Sequence, residues 1–114
     1  MRLKSNYPAT LGLDREKYQS AVEHYKKSAE AGYALAQFNL GIMYYSARGV
    51  RRDYVLAYMW FNVSAGQSAS AVARQNVARR MSPAQLAQAQ KMSLQCRAQA
   101  FKNCEVSNRS PELM

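Results

Sequence analysis

Apolar and small residues recur every three or four positions from residue 14 onward, the spacing of helices that bury one face. Asp14 is placed to cap a first helix. Glu16 and Lys17 open it, and Tyr18, Ala21, Val22, Tyr25, Ser28 and Ala29 form its stripe. Gly32 supplies the left-handed residue that ends it. A second helix is predicted from about Ala34 to Ala47, with Ala36, Leu40, Met43, Tyr44 and Ala47 inward. Gly49 stops it, Val50 packs on its last turn, and Asp53 caps a third helix over about Tyr54 to Ala65. The third stripe is Ala57, Trp60, Phe61, Ser64 and Ala65. A fourth helix covers about Ser70 to Met81. Ser82-Pro83-Ala84-Gln85 then opens a fifth, reaching about Phe101, with serine at the N-cap, proline at N1 and glutamine placed to close a capping box. Residues 1–14 carry no periodicity and read as a frayed lead-in; residues 105–114 read as a loose tail.

Only two or three residues separate the first two helices, so they must be antiparallel neighbours. Gly41 sits inside the second helix, where glycine costs about 1 kcal/mol against alanine. Close approach of a neighbouring helix is the expected compensation. The pattern repeats at a period of 36: Ala21 returns as Ala57, Tyr25 as Phe61, Ser28 as Ser64 and Ala29 as Ala65. Helix pairs repeating at this length build α-solenoids. The expected fold is therefore all-α, a short right-handed stack of antiparallel helix pairs with about five helices. One domain spans 15–104: a repeat over 15–50, a variant terminal repeat over 53–81 and a capping helix over 82–101.

The formal net charge is +9, unevenly spread. Residues 48–109 hold ten Lys/Arg against two carboxylates, Asp53 and Glu105. That half reads either as a solvated face or as one that meets an acidic partner. The basic residues are thinly spaced with no long run, which argues against specific nucleic-acid binding. No apolar run approaches the ~18 residues of a transmembrane helix. Met1 to Asp14 has a basic start but no apolar core of a signal peptide, so the chain reads as cytoplasmic or as one whose leader lies outside it.

Catalytic chemistry finds little support. His24 is the lone histidine, and with two distant cysteines it does not make a zinc spacing. There is no Gly-x-Ser-x-Gly element, no glycine-rich phosphate loop and no acid/base pair of carboxylates. The reading is a non-enzyme with no metal and no cofactor. Cys96 and Cys104 have seven residues between them. On one continuous helix they would lie about 12 Å apart, beyond the reach of a disulfide. They can bond only if the chain reverses between them, for which Lys102-Asn103 is the natural place. The alternative is two unrelated thiols, with Cys96 buried on a stripe of Leu86, Ala89, Ser93 and Ala100.

Ala21, Tyr25, Ser28-Ala29-Glu30-Ala31-Gly32, Ala36-Gln37-Phe38-Asn39-Leu40-Gly41, Tyr44, Gly49-Val50, Asp53, Ala57, Trp60-Phe61 and Ala65 together resemble a Sel-one-like repeat, a relative of the tetratricopeptide repeat. The match covers one repeat and the first helix of a second. Arg80-Met81-Ser82-Pro83-Ala84-Gln85 is similar to the start of the closing helix in short bacterial members, while Arg74-Gln75-Asn76-Val77 departs from the Leu-Gly signature of a full second repeat. The resemblance implies a curved scaffold for protein–protein interaction without shared catalytic residues. It implies that the first helix of each pair lines a concave groove. That would put Tyr54, Tyr58 and Asn62, at i, i+4 and i+8, beside His24 and Lys27 as a binding row for a protein or peptide; the alternative is ordinary helix surface and core edge. Arg51 and Arg52 in the turn are positioned for an acidic segment. Secreted members often pair cysteines at this separation, so the resemblance implies a Cys96–Cys104 disulfide and a periplasmic or secreted location; two free thiols would leave the protein cytoplasmic. Some cysteine-rich members are associated with β-lactam binding or weak hydrolysis, so small-molecule binding in an exported protein is the alternative function. A basic polyanion-binding module is the third.

Overall fold

Five helices make up the described chain: α1 (Tyr7–Glu30), α2 (Ala34–Ser46), α3 (Tyr54–Val63), α4 (Ser70–Ala78) and α5 (Pro83–Ala98). The computed structural model describes the backbone over residues 7–64 and 69–105, with side chains from Arg15 onward. No strand occurs among the described residues. α1 packs on α2, α2 on α3, and α3 on both α4 and α5. The arrangement is all-α, built from helix pairs, with α5 seated on α3.

The start signals act as their chemistry requires. The Asp53 carboxylate accepts from the Leu56 N–H at 3.0 Å, capping α3. Ser82 and Gln85 form the full capping box, with Pro83 in the first turn of α5. α1 differs from expectation. It begins at Tyr7, so Asp14 lies inside it rather than at its cap, and the lead-in is helical from Tyr7 onward. Pro8 presets the first turn, and Gly12 alone does not interrupt the helix. The other helices end earlier than the stripes suggest. α2 stops at Ser46 with Ala47 left-handed and exposed. α4 stops at Ala78 and α5 at Ala98, short of Met81 and Phe101. The Ala65 end of the third helix lies outside the described residues.

Helix α3 is the hub. Seven of its ten residues are buried, on all sides, because it has helices against several faces. Its close contact with α2 rests on Gly41: a β-carbon there would fall 2.6 Å from the Phe61 ring and 3.2 Å from the Ala57 carbonyl oxygen. Gly49 does the same for α1. Its φ is +77°, and a β-carbon would meet the Tyr18 carbonyl at 2.6 Å. The buried Gln37 side chain donates to the Ala29 carbonyl at 3.0 Å, tying the end of α1 to α2. The buried Ser64 and Ser70 hydroxyls lie 2.9 Å apart and join the end of α3 to the start of α4.

Candidate functional site

Tyr54, Tyr58 and Asn62 are the three half-exposed positions of α3. A spacing of four residues keeps them on one line, and burial of the other seven makes that line the accessible edge of the central helix. Its surroundings differ from the expected ones. The Asn62 side-chain carbonyl accepts from Arg74 of α4 at 2.8 Å, and its backbone carbonyl accepts from Arg97 of α5 at 2.6 Å. At the other end, the Tyr54 ring packs against Tyr45, 5.8 Å between centroids. Arg80 donates to the Tyr45 hydroxyl at 3.1 Å, and Arg52 donates to the Tyr45 carbonyl at 3.2 Å. The hydrogen bond that Arg80 donates to Tyr45 holds the Arg80 pKa above its ordinary value. The row thus ends on arginines from the α2–α3 turn, α4, the α4–α5 turn and α5.

His24 and Lys27 are exposed on α1, and neither makes a polar contact with the row among the described residues. The hollow beside α1, about 550 Å³, is lined by Glu16, Gln19, Ser20, Val22, Glu23 and Lys26 together with Gly49 and Val50. Tyr54 instead lines a cleft of about 530 Å³ with Arg52, Asp53, Val55, Gln85 and Gln88, between the start of α3 and the start of α5. Arg51 is exposed and lines a third hollow with Arg15, Gln19 and Gly49. Sequence reading does not place Arg74, Arg80 and Arg97 at the row, because their partners Asn62 and Tyr45 lie on other helices, 12 to 35 positions away.

Cys96 and Cys104 are bonded, with their Cα atoms 4.9 Å apart. The reversal that joins them begins before Lys102-Asn103, since Ala100, Phe101 and Asn103 all have left-handed backbone. Each such non-glycine residue costs roughly 1–2 kcal/mol, so the turn depends on its anchors. Ala100 is accordingly exposed and off the α5 stripe, whose buried residues are Ala89, Met92, Ser93 and Cys96. The residue after Cys104 corrects a second expectation. Glu105 is not loose. One carboxylate oxygen accepts from the Tyr44 hydroxyl at 2.7 Å, the other from the Trp60 indole N–H at 2.9 Å, and the Lys26 ammonium lies 3.5 Å away. Trp60 is 2% exposed and Tyr44 6%, so these polar atoms need partners inside the protein.

The signature of the Sel1 repeat matches residues 11–33 and 34–68, together half of the chain. The chain belongs to the Sel1 repeat family. No curated protein sequence matches it. Among solved structures it is similar to a protective antigen present in uropathogenic Escherichia coli strains, which displays an SLR fold. The two share 32% sequence identity over 74% of this chain, with a TM-score of 0.66, and this chain spans 20% of the antigen's length. The Sel1 repeat fold typically acts as a non-enzymatic protein–protein interaction scaffold, and its helical-repeat surface suits a protein or peptide. Among the described residues no helix is long and apolar enough to cross a membrane. The disulfide of this Sel1 repeat chain supports a location outside the reducing cytoplasm.

Proposed function

We propose that this chain works as an adaptor in the periplasm or outside the cell, holding an acidic segment of a partner protein along the Tyr54–Tyr58–Asn62 row. One observation carries the reading: the accessible edge of the central helix is bordered by Arg52, Arg74, Arg80 and Arg97. Tyrosine offers large contact area at low entropic cost, and asparagine can pair with a peptide backbone. The arginines raise the association rate of an acidic segment and discriminate against basic ones. Arg51 extends the basic rim, and His24 and Lys27 on α1 form a second contact surface for a partner long enough to wrap around. The repeat over 15–50, the variant unit over 53–81 and the cap over 82–101 form the platform. Likeness to a protective antigen and the buried disulfide support the extracytoplasmic placement.

Selection from a displayed peptide library tests this reading. The expected result is enrichment of sequences rich in Asp and Glu, whose addition shifts the amide signals of Tyr54, Tyr58, Arg74 and Arg97 in an NMR spectrum. Enrichment of basic or uncharged peptides, or shifts confined to other faces, would overturn it.

A further inference from the structure

The geometry points to a second binding site on a different face of α3: a carboxylate-receiving cradle, built from Lys26, Tyr44 and Trp60, that Glu105 fills from within the same chain once the Cys96–Cys104 bond has formed. Three helices each contribute one donor, an ammonium from α1, a hydroxyl from α2 and an indole N–H from α3. Both carboxylate oxygens are engaged, each by a different helix, as recognition of a planar anion requires. The donors belong to the repeat body, whereas the occupant arrives on a turn after α5, 45 positions from Trp60 and 61 from Tyr44. That turn contains three left-handed non-glycine residues and is held by the disulfide one position before Glu105. A hollow of about 140 Å³ adjoins the cradle, lined by Lys26, Glu30 and Trp60 from the repeat body and by Asn103, Cys104 and Glu105 from the turn.

The disulfide therefore decides who occupies the cradle. With the sulfurs bonded, the local concentration of Glu105 excludes carboxylates from solution. With two thiols, the strained turn keeps the bond from the Lys102 ammonium to the Glu30 carbonyl, at 2.9 Å, and the packing of Phe101, and it opens in exchange for a glutamate or aspartate side chain of another polypeptide in the cradle. Closure is thiol–disulfide exchange: two cysteine S–H bonds and the S–S bond of a disulfide oxidant become the Cys96–Cys104 S–S bond and two S–H bonds on the oxidant. Both sulfurs are buried afterwards, 0% and 2% exposed, so the device closes on oxidation and stays closed. The site goes beyond the arginine-bordered row and stands or falls separately from it.

Trp60 is the chain's one tryptophan, so its indole N–H signal in an NMR spectrum reports the cradle alone. In the oxidised wild type the signal should not move when sodium acetate replaces chloride at constant ionic strength. In Glu105→Ala it should start displaced and return saturably toward the wild-type position as acetate is added. In Cys96→Ser/Cys104→Ser it should respond to the capped tripeptide Ala-Glu-Ala and not to Ala-Gln-Ala. A folded Glu105→Ala that ignores acetate would overturn the carboxylate site, as would a wild type that responds equally. A double cysteine variant with the wild-type signal, inert to the tripeptide, would overturn control by the disulfide. If Glu105→Ala does not fold, acetate titration of the cysteine variant decides the site.

Discussion

Gly41 and Phe61 meet so closely that the ring occupies the space of a β-carbon, which would lie 2.6 Å from it. The ring has little freedom to yield: Phe61 is buried and packs against Phe38, 5.4 Å between centroids. Gly41→Ala gains about 1 kcal/mol of helix propensity but forces overpacking worth about 1–3 kcal/mol. The expected result in urea unfolding is a net loss of about 1 kcal/mol, larger for Gly41→Val. An unchanged midpoint would show that the helices have room to part.

Breaking the disulfide should weaken the fold without abolishing it. A closed loop this short contributes about 2–3 kcal/mol through the unfolded state. Urea unfolding of the oxidised protein, and of protein reduced while unfolded and refolded with a dithiol present, should differ by that amount. Equal midpoints would mean that the turn contributes nothing to the body of the repeat.

Removing the Glu105 carboxylate leaves the Trp60 indole N–H without its acceptor in a buried position. Glu105→Ala should cost about 1–3 kcal/mol, and Glu105→Gln less, because the amide oxygen can still accept one bond. Tryptophan fluorescence should shift on Glu105→Ala in the folded protein. Two variants as stable as wild type would remove Glu105 from the account of stability.

The helix caps provide a control with short-range effects. Asp53→Ala and Ser82→Ala should each lose about 1 kcal/mol, since each leaves a helix N-terminal N–H uncapped. Asp53 caps α3 through the Leu56 N–H and Ser82 caps α5 through the Gln85 N–H, so the losses should add within about 0.5 kcal/mol. A double variant far from additive would place both caps in one coupled unit.

Local rules explain which features are legible in the sequence. Asp53, Ser82 and Gln85 act through neighbours three residues away, so their roles follow from spacing alone. Gly41 is conspicuous because glycine is unfavourable inside a helix, and Phe61 supplies the reason. The start of α1 at Tyr7 is hidden, because Asp14 mimics a cap more strongly than Pro8 marks a first turn. Long-range partners are beyond reach. Arg74 and Arg97 meet Asn62 from elements whose placement depends on the whole stack. Glu105 falls in a stretch that reads as a loose tail, although it is one of only two carboxylates in the basic half and directly follows a cysteine. Its partners come from helices that no local pattern connects to it.

The most direct test of the adaptor reading is the affinity of a library-selected acidic peptide for the wild type, Tyr58→Ala and Arg74→Ala. Both variants should remain folded and weaken binding at least about tenfold, or about 1.4 kcal/mol, and raised salt should reduce wild-type affinity. Undiminished affinity in both folded variants would contradict the assignment of the Tyr54–Tyr58–Asn62 row.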